Sequence, residues 1–592
     1  MDKNLKSVFI NFPLGKQPTD FPPYGAMAVI NSLRRAGYKD TSLLNLDVSR
    51  GSLEESVDYI AALKPDILCI SSPVSTHYNN CKTYSSEIKK RLPSVKIVLG
   101  GNLAASAEVI LKNTNVDFCV LGEGEKTACL LFDAFSDDKP IEKCREIKGL
   151  AFLDGGRMIN TGYSDPMPKE EIFDVDWDTL DNKSLDFYFP AIKDLDVNSP
   201  ALRLFFMDRD GNIKIDGDKL NKRMGWLSCS KGCVARCTFC HRFNKGIRFI
   251  PPEILERRIR ELTERFNVGA ISFGDECFGA NTRWLTEFCE MIKPLNLLWR
   301  VGGMRVNLVT PEIIARMKDA GCRCIIYGTE TGSERMLKVM QKAVAGRDNY
   351  NAMKWTVEAG FFTSPQLVIG MPGESMTTIE ESADFMAYAM TLDKSQNPMT
   401  ISINFAQALP GTPLYEYARA KGLIGDSIEA EEEYLMSVSD RSAADETTTL
   451  NFTQYPRLIQ LSWPMLIASK TRAAYVKKFG RSAYYGRVFP TGNRPGILNM
   501  LLGLRMRALY HAFPVAAYGL KNMLWVLKLM EIVKEKGVRE GMRLLGELVL
   551  FIVTGGRRKS SFEYKSLRKI LEQDTKKAYA GAEEMRNLRK GR

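Results

Sequence analysis

The chain predicts an α/β architecture in three parts: a doubly wound parallel sheet, a partial (β/α) barrel, and a helical, basic C-terminal region. Three observations carry the prediction. Short β-rich runs alternate with helical stretches over residues 1–143, a second alternating series runs from Gly225 to Gly422, and both charge and periodicity change after residue 424. At 592 residues and 45% hydrophobic composition, the chain carries enough apolar material for several cores.

In residues 1–143, strands are predicted at Ser7 to Asn11, Ser42 to Leu46, Ile67 to Ser71, Lys96 to Leu99 and Phe118 to Leu121. Helical stretches such as Ala26 to Ala36 and Tyr78 to Arg91 separate them. Such a sheet binds ligands outside the carboxyl ends of its strands. The loops there are small or polar: Pro22-Pro23-Tyr24-Gly25, Ser71-Ser72-Pro73, Gly100-Gly101-Asn102 and Gly122-Glu123-Gly124-Glu125. Taken singly, each reads equally well as a tight turn.

Residues 144–224 form a connector rich in Asp, Pro and aromatics, with Asp208 to Asn212 predicted as a turn between two short strands. Residues 225–424 read as the barrel. Helices are expected at Pro252 to Phe266 and Pro311 to Ala320, and strands at Gly269 to Phe273, Trp299 to Met304, Cys324 to Tyr327, Ser364 to Ile369 and Ile401 to Gln407. The polar motifs Gly274-Asp275-Glu276, Gly328-Thr329-Glu330 and Gly370-Met371-Pro372-Gly373-Glu374 fall at strand ends, where barrels collect their chemistry.

The run Cys233-Val234-Ala235-Arg236-Cys237-Thr238-Phe239-Cys240 places three thiols on one loop. Three thiolates can hold three irons of a 4Fe-4S cubane cluster and leave the fourth iron open to a ligand that is not protein. A structural zinc site closes with four ligands, usually two pairs at C-x2-4-C spacing, and no second pair at that spacing follows Cys240, although Cys229 and His241 lie near. The spacing resembles that of the radical S-adenosylmethionine (SAM) superfamily, and the barrel motifs extend the resemblance from Gly225 to about Gly422. The loops of residues 1–143, in their order, resemble the cobalamin-binding domain found ahead of many radical SAM enzymes.

The resemblance implies roles. Cys233, Cys237 and Cys240 would hold the cluster, and Phe239 would lie against the adenine of SAM. Gly274, Asp275 and Glu276 stand where the family receives the SAM amino group, with Gly-Asp-Glu replacing the commoner Gly-Gly-Glu. Arg305 and Glu330 are candidates for polar contacts to SAM, with a barrel-mouth salt bridge as the alternative, and Gly370 would admit backbone to the adenosine. Ser71, Ser72, Gly100, Gly101, Gly122, Glu123 and Glu125 would hold cobalamin. Asp47-Val48-Ser49-Arg50-Gly51 lacks the histidine of a D-x-H-x-x-G motif, so base-off cobalamin is implied; a degenerate domain without cofactor is the alternative. Cys277, Cys289, Cys322 and Cys324 read as core residues.

Residues 425–592 are expected to be helical. From 456 to 530 there are twelve Lys or Arg and no Asp or Glu, and from 456 to 592 there are 28 basic and 9 acidic residues. Rings such as Trp463, Tyr475, Tyr484 and Trp525 interleave with them, as do the apolar runs Ile497 to Leu504 and Met523 to Met530. A peripheral membrane surface, a solvated helical domain and a nucleic-acid surface compete, in that order. No recognised RNA-binding motif appears, and charges interrupt every apolar run before a transmembrane length. The thirteen cysteines all precede residue 325, an odd number that predicts a reducing cytoplasm, and no signal peptide is read at the N-terminus.

The resemblance implies a cobalamin-dependent methyltransferase acting on an unactivated carbon of a hydrophobic or lipid-like substrate. It would use methylcobalamin, a 5′-deoxyadenosyl radical, and an electron donor such as flavodoxin or ferredoxin. A ring-forming oxidative cyclase shares every motif. Methylthiotransferases carry a second cysteine trio that Cys69, Cys81 and Cys119 do not match. A non-catalytic cobalamin-binding or membrane-surface protein would leave the tripod idle.

Overall fold

The computed structural model describes residues 3–15, 17–137, 140–196, 202, 205–206, 213–215, 217–241, 246–439, 449–488 and 514–554. Two sheets organise them. The first is built from β1 (Ser7–Asn11), β2 (Thr41–Asn45), β3 (Ile67–Ser71), β4 (Lys96–Gly100), β5 (Phe118–Val120), β6 (Leu150–Asp154) and β7 (Arg157–Asn160), in the order β2-β1-β3-β4-β5-β6-β7. The first five run parallel and the last two antiparallel. Both faces are buried: Val8, Ile10, Leu68, Ile70, Ile97 and Leu99 pack on one side, Phe9, Ile67, Cys69, Val98 and Phe118 on the other. This two-sided burial explains why the strands read as unbroken apolar runs. Hairpin β6–β7 extends the sheet into the stretch read as connector. The turn expected at Asp208 to Asn212 lies outside the described residues.

The second sheet is wholly parallel. It comprises β8 (Arg223–Leu227), β11 (Val268–Gly274), β12 (Leu298–Met304), β13 (Cys322–Glu330), β14 (Pro365–Ile369) and β15 (Ser402–Phe405), ordered β15-β14-β13-β12-β11-β8. Between β8 and β11, the strands β9 (Ser230–Cys233) and β10 (Gly246–Phe249) pair as a separate antiparallel hairpin. Helices cover the outer face. Pro252–Phe266 starts with Pro at its first turn and stops at Asn267 in the left-handed region, and Pro311–Asp319 is capped by Thr310, whose side chain accepts from the Ile313 N–H. Side chains alternate along each strand. Ile271, Phe273, Trp299, Val301, Ile325, Leu367 and Ile369 join the outer core, so Ser272, Arg300, Gly302, Gly328 and Val368 face the lumen.

The C-terminal helices pack against the barrel. Arg457–Val488, which breaks at Gly480, lies along Met376–Met390, and Leu524–Lys536 and Val538–Val553 pack beside it. Opposite charges meet there: Lys470 pairs with Glu380 at 2.9 Å and Asp384 at 2.6 Å, and Lys521 with Glu380 at 2.7 Å. Trp463, Tyr475 and Tyr484 are fully buried, so these rings fill a core instead of meeting a membrane boundary. The run Ile497 to Leu504 lies outside the described residues. No helix among the described residues is long and apolar enough to cross a membrane.

Candidate functional site

The tripod loop leaves β9 at Cys233 and is fixed further along by backbone bonds. The Thr238 N–H donates to Met340 O at 3.0 Å, and the Leu414 N–H donates to Thr238 O at 2.9 Å. Hydrogen bonds pair the thiols as Cys233 with Cys277 and Cys237 with Cys240. The bond from Cys277 draws Cys233 down to about 6, and the bond from Cys240 draws Cys237 down to about 7, with Arg305 adding positive charge to both. The donors of those bonds, Cys277 and Cys240, are pushed up. Among the described residues no three His, Cys, Asp or Glu side chains stand together as a preassembled metal group. The donor set nonetheless fits an iron–sulfur cluster: soft thiols on one loop, two of them held toward thiolate. Cys277, expected in a core, is buried and meets Cys233.

Adjacent acids after β11 have different fates. Asp275 is buried and turns back under the hairpin, accepting from the Cys229 N–H at 3.0 Å and from Ser230 Oγ at 2.6 Å; burial raises it to about 7. Glu276 is exposed at the mouth and accepts from the Gly232 N–H. Of the two acids, Glu276 is thus the one open to solvent. Glu330, in the left-handed region at φ 61°, forms a buried pair with Lys342 at 2.6 Å. Arg305 donates to the carbonyls of Lys342 and Ala343. These two side chains therefore fix the rim after β13, the salt-bridge alternative for Glu330. Gly370 has φ 81°, and a Cβ there would stand 2.9 Å from Gln460 Nε2. Its N–H, with that of Met371, donates to Glu374, which burial raises to about 8. Phe239 packs beside Met336, Met371 and Leu414.

On the first sheet, Ser71 and Gly100 lie side by side at the strand ends. Gly101, at φ 96°, lets the β4 loop close on the β3 loop: a Cβ there would come within 2.3 Å of Ser72 O. A Cβ on Gly100 would meet nothing within 4 Å, so the edge is open above it. A cradle of glycine and serine backbone with open space beyond fits a large planar cofactor. Gly122 closes against Ser164.

Glu123 and Glu125, expected on that edge, are instead buried against the tripod hairpin. Glu123 pairs with Arg248 of β10 and accepts from the Met167 N–H at 2.6 Å, while Lys231 of β9 stands 3.6 Å from Glu125 and 3.8 Å from Glu123. Lys231, Arg248 and Lys342 were not singled out in the sequence. Only the first two gave a signal, as the basic residues flanking the tripod. A second tie joins the halves: Glu432 on helix Ile428–Val438 accepts from Tyr78 Oη and Asn113 Nδ2, both at 2.6 Å.

Comparison with known proteins agrees with this division. The B12 binding domain family matches residues 11–132, and the radical SAM superfamily matches residues 227–386. The anaerobic magnesium-protoporphyrin IX monomethyl ester cyclase of Cereibacter sphaeroides is 26% identical over 67% of this chain and 60% of its own length. An uncharacterized methyltransferase of Pyrococcus horikoshii is 26% identical over 69% of this chain and 80% of its own. The cobalamin-dependent SAM radical enzyme OxsB, solved with aqua-cobalamin and SAM bound, shares the fold with a TM-score of 0.56 at 15% identity, covering 100% of this chain and 81% of that one. The chain thus combines a B12-binding domain with a radical SAM domain, the sheet of the first tied through Glu123 to the hairpin of the second.

Proposed function

We propose that the protein is a cobalamin-dependent radical SAM methyltransferase that alkylates an unactivated carbon of a hydrophobic or lipid-like substrate. The observation that carries this reading is the Glu123–Arg248 tie, which holds the open edge of the first sheet against the loop of Cys233, Cys237 and Cys240. When bound, the cluster supplies the electron that cleaves SAM, and cobalamin supplies a methyl carrier. The chain's own residues do the placing. Cys233, Cys237 and Cys240 anchor the cluster, Glu276 takes the SAM ammonium, and Phe239 offers a ring to the adenine. Arg305 and the Glu330–Lys342 pair hold the rim rigid, which keeps reacting atoms aligned and water out. Ser71, Gly100 and Gly101 cradle the corrin. A small one-electron protein such as flavodoxin or ferredoxin delivers the electron.

A cyclase reading stands second, favoured by the 26% identity to the magnesium-protoporphyrin cyclase. Anaerobic incubation with cobalamin, reductant and methyl-deuterated SAM separates the two. Labelled methyl in an extracted product together with 5′-deoxyadenosine supports methyl transfer; 5′-deoxyadenosine with unlabelled product overturns it in favour of the cyclase. Absence of 5′-deoxyadenosine sinks both.

We also place the protein at the cytoplasmic face of a membrane. Val549, Leu550, Ile552 and Val553 are 51%, 65%, 65% and 77% exposed at the end of helix Val538–Val553, within a region, 456–592, that carries 28 basic against 9 acidic residues. Co-flotation with anionic vesicles is expected, and none at low salt overturns the placement.

A further inference from the structure

We propose that Arg300, laid over the Trp226 indole inside the barrel, is the subsite for a carboxylate or phosphate oxyanion carried by the substrate. The inference rests on the reading that the lumen of a radical SAM barrel holds the substrate.

Trp299 and Val301 enter the outer core, so Arg300 between them points into the lumen. In the ladder it sits opposite Ser272, which in turn sits opposite Trp226. Arg300 Nε donates to Ser272 Oγ at 2.7 Å, and the guanidinium carbon lies 4.9 Å from the Trp226 ring centre. One hydrogen bond and one ring face fix the plane of the group. They leave the Nη donors free, for no described carboxylate stands at ion-pair distance; Asp20 acts on Arg300 only from farther away. An inward-turned cation without a counter-charge at ion-pair distance is costly, and an anion bound in the lumen removes that cost. Phe21 packs edge-on to Trp226 at 5.5 Å, adding an apolar wall. Space is available above the pair, since a Cβ on Gly302, one lumen position nearer the mouth, would meet nothing within 4 Å. Together these features suit a molecule with an apolar body and an anionic end seated at the Arg300 fork, its body reaching toward the mouth.

Binding of benzoate, phenyl phosphate and benzyl alcohol to the cluster-loaded protein tests this. The two anions are expected to bind about tenfold or more tightly than the alcohol, as a charge-assisted pair predicts. Whichever anion binds better tells carboxylate from phosphate. Arg300→Met should level the three affinities, and Arg300→Lys should keep only part of the preference because a point charge lacks the fork. Equal affinities in the wild type, or an unchanged order in Arg300→Met, overturn the proposal. So does loss in Arg300→Met of the SAM-induced change in the cluster's electron paramagnetic resonance spectrum, which would make Arg300 a SAM ligand. Should Arg300→Met fail to fold, the anion preference of Arg300→Lys decides, and an unchanged preference counts against the fork. A failure to detect labelled methyl product would leave the anion preference standing, so the two readings fail separately.

Discussion

The edge of the first sheet and the mouth of the second both end in acidic loops, yet they use them in opposite ways. Glu123 and Glu125 leave their own edge and bury themselves against Arg248 and Lys231, while Ser71 and Gly100 remain at the strand ends with open space above Gly100. At the barrel mouth, Asp275 likewise turns inward to Cys229 and Ser230, but Glu276 stays open. The contrast teaches that an acid at a strand end first satisfies nearby backbone or basic groups. It serves a ligand only when its position along the chain aims it at open space.

The largest effect should come from breaking the mouth itself. Cys237→Ala is expected to abolish cluster assembly and 5′-deoxyadenosine formation, while cobalamin absorbance persists because the first sheet is untouched; iron content and the visible spectrum check both halves. Breaking the edge should cost less. Glu123→Gln leaves Arg248 without its charge partner, with an expected loss of about 3 kcal/mol, read as a lower melting temperature. The double change Glu123→Arg with Arg248→Glu should recover part of it. If Glu123→Gln instead releases cobalamin at unchanged melting temperature, the acid belongs to the cofactor edge after all.

A finer test separates the two neighbouring acids. Glu276→Gln should weaken SAM binding about tenfold to a hundredfold with the fold intact, whereas Asp275→Asn should mainly loosen the hairpin. Equal effects of both on SAM affinity would erase the distinction. The smallest effect is one of pH. Glu374 is raised from 4.5 to about 8 by burial, so the folded state binds its proton more readily than the unfolded chain does. Its contribution to stability is full below about 4.5 and is lost as pH rises through about 8. Glu374→Gln should flatten that decline in melting temperature.

Much of this was legible because periodicity is local. Strands such as Ser7–Asn11 and Ile67–Ser71 fall where their apolar runs lie, and helices such as Tyr78–Arg91 and Pro252–Phe266 begin and end at the expected residues. Hairpin β6–β7 escaped because an antiparallel edge carries little periodic signal, Arg157 and Asn160 being exposed and Met158 and Ile159 half-buried, with no alternation. In the site, the tripod was visible as spacing. The partners Lys231, Arg248 and Lys342 were not, because a basic residue's partner depends on which loop it meets. The burial of Trp463, Tyr475 and Tyr484 escaped for the same reason: a ring beside arginines reads alike at a membrane and in a core.

By itself the sequence determined the two α/β units, the thiol tripod and the glycines of the strand-end loops, since each follows from residues close together in the chain. Only the tertiary structure decided that Glu123 serves the hairpin, that Glu276 and not Asp275 is open, and that Arg300 stands in the lumen with no carboxylate at ion-pair distance among the described residues. Those outcomes depend on strand register and on contacts between residues far apart in sequence, where burial makes every charge seek the nearest partner that geometry allows.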